Sequence, residues 1–167
     1  MYVLTDPVQL LDRWTAAPLG GRNWESFSPD PFLTGAAMDQ TIRAIQEGGV
    51  QASAKHVIGN EQETQRKPTV VDGKQVEVIS SNMDDRTLHE LYLWPFADAV
   101  RAGVASMMCG YNRVNSTYSC EDKHLLTDVL KGELGFDGSG KTASKAPYTS
   151  SVSIEAVRPR AQASSTS

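Results

Sequence analysis

The sequence is short of cysteine and histidine, of positive charge and of long apolar runs. Its two cysteines and three histidines include no H-E-x-x-H zinc motif, and its formal net charge of −4 gives no electrostatic reason to expect a nucleic-acid partner. No apolar run is long enough to cross a bilayer, and the N-terminus lacks the basic start and the uninterrupted apolar stretch of a signal peptide. We therefore expect no metal, no nucleic acid and no membrane among its partners.

The composition is that of a globular protein until about residue 138. Over all 167 residues, 40% are hydrophobic and 22% are charged, which suits one domain or a piece of a larger one. The segment 139–167 differs, because 18 of its 29 residues are Ser, Thr, Ala or Pro and its apolar residues follow no period. Such a segment buries too little apolar surface to offset its ordering entropy, so we predict that 139–167 is disordered.

Helical and extended patterns alternate through the first part of the chain. The helical segments are 31–49, 84–103 and 124–135, and the strand segments are 50–57 and 104–111. Pro95 divides the second helical segment, because proline fits only the first turn of a helix. This order predicts an α/β fold with a parallel sheet. Because a complete (β/α)8 barrel takes about 250 residues, we expect a truncated part of a TIM-like barrel.

One stretch, GFDGSGKT at 135–142, matches the phosphate-loop pattern G-x-x-x-x-G-K-[ST]. A working phosphate loop needs a strand before it and a helix after it, since the helix N-terminus supplies N–H groups and a dipole to the phosphates. Here a helical segment precedes the match, and Pro147 follows in a stretch without an apolar face. We therefore interpret the match as accidental and expect neither a nucleotide partner nor a cofactor.

Three polar clusters could bind a ligand. Lys55 and His56 end the first strand segment, and the polar run GNEQETQR after them contains Arg66. Arg22 lies with Trp24 and Phe27 in a loop, and Met108 and Tyr111 end the second strand segment. The donors and acceptors of the first cluster suit a hydroxyl-rich ligand such as a sugar. From spacing alone, however, each cluster could equally be a solvated strand end or ordinary packing.

The two cysteines allow two interpretations. Cys109 and Cys120 enclose ten residues, among them the glycosylation sequon Asn115-Ser116-Thr117. A disulfide across a surface loop glycosylated at Asn115 would suit a secreted protein. The alternative is a buried thiol, a second thiol and a chance sequon.

Taken together, the sequence blocks resemble one family. GGRNWESFSPDPFLTG, AKHVIGNEQETQR, DDRTLHELYLWPFADAVRAGVASMMCGYN and LKGELGFDG occur in this order and are similar to the first domain of fungal glycoside hydrolase family 3 β-glucosidases. The resemblance covers about Gly20 to Gly138. It implies three parts: a divergent lead-in at 1–19, a partial N-terminal catalytic domain at 20–138, and a non-family tail at 139–167.

The resemblance also implies a function and a set of site residues. Members of the family hydrolyse terminal non-reducing β-D-glucosyl residues, as in cellobiose, with retention, and take part in cellulose and β-glucan degradation. The residues at positions matching those that hold glucose in the family are Arg22, Lys55, His56, Arg66, Met108 and Tyr111. Because such enzymes are secreted, the resemblance favours the Cys109–Cys120 disulfide, although this chain shows no signal peptide of its own.

The catalytic carboxylates of the family have no counterpart here. In the family, a strand after the G-F-x-G element ends in Ser-Asp-Trp, whose Asp is the nucleophile, and the acid/base Glu comes from a second domain. This chain contains no Ser-Asp-Trp, and Ser139 onward departs from the family pattern. We therefore assign no catalytic residue and expect this chain to be inactive alone. The alternatives are a non-catalytic sugar-binding remnant or a non-functional truncated gene product.

Overall fold

The computed structural model describes residues 2–4, 22 and 25–142, and within these the side chains of 22 and 25–138. Its principal sheet has four parallel strands in the order β1-β2-β6-β9. These strands are β1 (Tyr2–Leu4), β2 (Ala52–Val57), β6 (Ser106–Cys109) and β9 (Ser139–Thr142). Every residue of β2 is buried, as expected for a central strand of a parallel sheet.

Helices cover one face of this sheet. They are α1 (Pro31–Glu47), α2 (Asp85–Thr87), a π-helical turn (Leu88–Tyr92), α3 (Trp94–Arg101) and α4 (His124–Glu133), which is also π-helical. The core between helices and sheet contains Met38, Ile42, Ala54, Phe96, Ala99, Met107 and Val129, each at most 2% exposed. The alternation of helices with parallel strands agrees with the predicted α/β fold. Within the described residues, no helix is long and apolar enough to span a membrane.

Helix α1 begins and ends where its sequence signals lie. The side chain of Asp30 accepts a hydrogen bond of 2.8 Å from the N–H of Leu33, and Pro31 occupies the first turn. At the other end the chain leaves the helix through Gly48 and Gly49, the latter with φ of +80°, which glycine adopts without strain. Likewise α3 begins at Trp94 with proline in its first turn, so the predicted division at Pro95 is confirmed.

Two small sheets extend from the principal sheet. A hairpin pairs β3 (Thr69–Val71) with β4 (Lys74–Val76). A second sheet joins β5 (Ser80–Ser81), β7 (Arg113–Val114) and β8 (Thr117–Tyr118) in the order β5-β7-β8. The Asp72-Gly73 pair that turns the hairpin has φ of +49° and +73°, as an Asp-Gly turn between valine-rich strands favours. The hairpin was not among the predicted elements, although Asp72-Gly73 is a local signal for it.

The segment after Gly138 differs from its prediction. Ser139–Thr142 pairs with β6 as a parallel strand, with Ser106 opposite Ser139 and Cys109 opposite Thr142, so the prediction of disorder is wrong for these four residues. The physical reason lies just before them, where Phe136 is 5% exposed and a Cβ on Gly138 would stand 2.7 Å from the carbonyl oxygen of Ala105. This close packing places the following residues beside β6. They can pair with β6 through backbone hydrogen bonds, which need no apolar side chains. The remainder of the predicted tail, 143–167, lies outside the described residues.

The same strand bears on the phosphate-loop match. Gly140, Lys141 and Thr142 belong to an extended strand whose backbone pairs with β6. A phosphate-binding loop instead curls its N–H groups around the anion and leads into a helix. The match therefore has neither the loop nor the following helix in the residues that the structure describes.

Candidate functional site

The predicted site residues of the two central strands lie at the carboxyl end of the sheet. Lys55 in β2 stands opposite Met108 in β6, and since neighbouring parallel strands point paired residues to the same face, both side chains lie on one face. Two residues earlier in each strand, Ser53 and Ser106 pair on the same face. Ala54 and Met107, which pair between them, point to the helices. The sheet therefore presents Lys55 away from the helix-covered core.

Glu25 joins Lys55 to Arg22. The guanidinium of Arg22 donates from Nε to Oε1 of Glu25 at 3.0 Å and from its terminal nitrogen to Oε2 at 2.8 Å. The Nζ of Lys55, whose side chain is 10% exposed, donates to the same Oε2. The hydrogen bonds from Arg22 and then Lys55 lower the pKa of Glu25 from 4.5 to about 2, against the opposing effect of burial. Glu25 is therefore an ionised anchor between two cations.

A second carboxylate continues the chain of charges. Glu63 lies 3.6 Å from a terminal nitrogen of Arg22 and 3.2 Å from one of Arg66. The guanidinium carbon of Arg66 in turn stands 5.1 Å from the centre of the Tyr111 ring, within cation–π distance. The order Lys55, Glu25, Arg22, Glu63, Arg66, Tyr111 is called the charge network below.

His56 and Met108 lie beside Lys55 of this network, His56 as its neighbour in the chain and Met108 opposite it in β6. His56 is 4% exposed and sits where the pairing of β2 with β6 shifts register, between Lys55 and Val57. A register shift of this kind re-aims side chains, so the strict alternation of a strand does not hold at this point. Met108 is half-buried and lies beside Lys55 through the strand pairing.

A disulfide fixes the segment that carries Tyr111. Cys109 and Cys120 are joined, with their Cα atoms 5.3 Å apart. The bond ties the end of β6 to the chain after β8, so that 110–119 forms a closed loop. Within it, the buried Asn112 donates to the carbonyl of Ile58 at 2.9 Å, which attaches this loop to the end of β2.

Asn115 occupies the exposed turn between β7 and β8, where Asn115 and Ser116 have φ of +47° and +74°. Its side-chain amide donates to the carbonyl of Met83 at 3.0 Å and accepts from the N–H of Met83 at 2.9 Å. The amide thus clamps the turn to a neighbouring strand end. Glycosylation at this sequon stays a prediction.

The cations of the site were predicted from the sequence, but the carboxylates that pair with them were not. Glu63 lies in the polar run GNEQETQR and was not singled out there, and Glu25 was not named, although Arg22 and Glu25 are three residues apart and close enough in a turn to pair. Phe27 is 41% exposed, and Trp24 lies outside the described residues. Over the described part of the chain, no group of three His, Cys, Asp or Glu side chains could hold a metal ion.

Comparisons with known proteins bear on the same residues. The family model described as glycosyl hydrolase family 3 N terminal domain matches 12–143. Probable beta-glucosidase G of Aspergillus flavus is 61% identical over 125 residues, which are 71% of this chain and 15% of that protein. A solved Chaetomium thermophilum beta-glucosidase has a TM-score of 0.72 at 58% identity, covering 84% of this chain and 16% of its own.

A more distant solved structure gives the same fold. Beta-glucosidase 3B of Thermotoga neapolitana, in complex with alpha-D-glucose, has a TM-score of 0.72 at 32% identity and covers 84% of this chain and 18% of its own. This chain therefore spans about a sixth of the length of the proteins it matches.

Proposed function

Since the chain belongs to glycoside hydrolase family 3, we propose that its described residues form the glucose-holding part of a β-glucosidase catalytic domain. The observation that carries the proposal is the charge network, which gathers two arginines, a lysine and a tyrosine at the carboxyl end of a parallel sheet. Active sites of (β/α)8 barrels lie at this end of the strands. The relative solved with alpha-D-glucose supports a glucosyl ligand.

The chemistry of the network suits sugar hydroxyls. Guanidinium and ammonium groups are donors, ionised carboxylates are acceptors, and each sugar hydroxyl can both donate and accept. Lys55 gives one described hydrogen bond, to Glu25, and its ammonium group has three N–H donors, so donors remain for a ligand. Because the side chains of the network are already paired, little rotamer freedom is lost when a sugar binds.

Glu25, whose two carboxylate oxygens accept hydrogen bonds from Arg22 and Lys55, is not suited to act as the general acid of the bond-breaking step. Retaining hydrolysis uses two carboxyl groups about 5–5.5 Å apart, one as nucleophile and one as general acid. Glu25 has a pKa of about 2 and two cationic partners, whereas a general acid works best with a pKa near the working pH. We therefore propose that the 167-residue chain binds glucose and does not hydrolyse glucosides.

The proposal is tested by titrating the full chain with glucose and following backbone amide signals by NMR. We expect saturable changes around Lys55 and Tyr111. Lys55→Met keeps the length of the side chain and removes its charge, so glucose affinity should fall about tenfold or more. Lys123→Met is the matched control, because Lys123 pairs with Asp128 on the exposed surface of α4. Absence of saturable binding, or equal affinity in Lys55→Met and the parent, would overturn the proposal.

A further inference from the structure

We propose that Glu63 is a positioning residue of the sugar site, which sets the Arg22 and Arg66 guanidinium groups in place. This inference rests on the proposed function, because the arginines matter for catalysis or binding only if a sugar occupies the site. Glu63 itself needs no contact with the sugar in this role.

The contacts of Glu63 single it out. One of its carboxylate oxygens lies 3.6 Å from Arg22 and the other lies 3.2 Å from Arg66, and all three side chains are between 21% and 25% exposed. Ion pairs at this degree of burial are screened less than surface pairs. Among the described side chains of the charge network, Glu63 is the one that joins Arg66 to Arg22.

The backbone explains why Arg66 depends on a side-chain contact. The chain at 61–68 forms no helix or strand. Its described backbone–backbone hydrogen bonds run from the N–H of Arg66 to the carbonyl of Glu63, at 3.3 Å, and from the N–H of Ile79 to the carbonyl of Gln65, at 3.0 Å. Neither bond involves the Arg66 side chain. Its neighbour Gln65 has φ of +63°, a region that side-chain-bearing residues adopt at a cost. The direction of the Arg66 guanidinium therefore depends on Glu63 on one side and on the Tyr111 ring on the other.

Arg22 has a different dependence. Glu25 already holds its guanidinium through two hydrogen bonds, and Glu63 adds a longer contact from a separate segment of the chain. Replacing the Glu63 carboxylate with an amide would leave two like charges facing a neutral group. We expect Arg66 to lose its direction and Arg22 to shift only slightly.

The first test measures glucose binding to the full chain. Glu63→Gln is nearly isosteric and should weaken glucose affinity about tenfold, since a charge-assisted contact is roughly twice as strong as a neutral one. Glu63→Asp keeps the charge and should recover part of this loss. Glu90→Gln removes another carboxylate that pairs with an arginine, on the exposed face of the π-helical turn, and should leave affinity unchanged. Equal affinity in Glu63→Gln and Glu90→Gln would overturn the inference.

The second test does not depend on sugar. The Nε–H signals of the arginines report directly on guanidinium order, and Arg43, held by Asp39 at 3.1 Å and distant from the network, is the internal reference. Glu63→Gln should broaden or shift the Arg66 signal most, whereas Glu25→Gln should change the Arg22 signal and leave Arg66 as it is. Unchanged Arg66 signals in Glu63→Gln would overturn the inference. Altered Arg66 signals in a chain that binds no glucose would support the ordering role of Glu63 and overturn the proposed function.

Discussion

At the scale of single residues, the site is organised by carboxylates that pair with cations. Glu25 is three-quarters buried and touches two cations, and its pKa of about 2 keeps it ionised throughout the physiological range. Burying a charge of this kind costs free energy unless the charge is paired. Glu25, Arg22 and Lys55 therefore each lower the cost of burying the others. We therefore expect the removal of Glu25 to lower the stability of the fold.

The pH dependence of this effect follows from the direction of the pKa shift. The folded pKa of Glu25, about 2, is below its ordinary value of 4.5, so its stabilising contribution is present above pH 4.5 and is lost as pH falls toward 2. We expect Glu25→Gln to lower the free energy of unfolding by about 1–3 kcal/mol at pH 7 and by progressively less below pH 4.5. Urea unfolding of both proteins at several pH values checks this.

The control for this measurement is Glu90→Gln. Its carboxylate pairs with Arg86 in a bridge whose side chains are 60% and 82% exposed, so the loss should stay below about 1 kcal/mol. A difference between Glu25→Gln and the parent that is constant from pH 7 to pH 3 would contradict the assigned cause.

At the scale of elements, the packing of α1 against α3 restricts which residue can stand at position 35. Gly35 in α1 is buried, and an added Cβ would lie 2.0 Å from a carboxylate oxygen of Asp98 and 2.9 Å from its carboxyl carbon. An alanine fits at this position only if the Asp98 carboxylate, which accepts a hydrogen bond from Arg101, moves away.

Gly35→Ala should therefore destabilise the protein, by about 1–3 kcal/mol, although alanine has the better helix propensity by about 1 kcal/mol. Asp98→Ala in the same chain removes the obstructing carboxylate, and we expect the double variant to recover most of this loss. A double-mutant cycle measured by thermal or urea unfolding gives the coupling between the two positions. Additive effects of the two substitutions would show that the steric explanation is wrong.

Elements with local sequence signals could be predicted, whereas elements that depend on contacts between distant segments could not. The bounds of α1 and the break at Pro95 follow from local signals, namely a capping Asp30, a first-turn proline and terminal glycines. The strand Ser139–Thr142 has no such signal, because its pairing depends on β6 and on the packing of Phe136. The cations of the site could be named by resemblance, and each arginine has a carboxylate three residues away in sequence. The bridges from Lys55 to Glu25 and from Arg22 to Glu63, however, join segments distant in sequence and appear only in the fold.

At the scale of the whole molecule, the described part is a four-stranded portion of a sheet with helices on one face. The chain matches about a sixth of the length of its relatives, and its 167 residues contain no Ser-Asp-Trp. Under the proposed function, this part of the sequence would hold the glucose, and the bond-breaking residues of the family would be absent from it.

We therefore expect the 167-residue chain to hydrolyse an aryl β-glucoside about 10⁴- to 10⁶-fold more slowly than a full-length relative, since binding and residual electrostatics remain when the reacting groups are lost. The assay uses purified chain whose length is confirmed by mass. Asp137 is exposed and is the described carboxylate nearest in sequence to the start of β9. Asp137→Asn tests whether it substitutes for the nucleophile. Turnover within tenfold of the relative, abolished by Asp137→Asn, would contradict the expectation.

The charge network draws on three separate parts of the chain, around residues 22, 55–66 and 111. The unfolded chain cannot hold these parts together, so a sugar that contacts all of them binds the native state alone. By mass action, binding then raises the free energy of unfolding, by about 2.7 kcal/mol when the free sugar is at 100 times its dissociation constant. Under the proposed function, glucose in the surroundings would thus raise the free energy of unfolding of this protein.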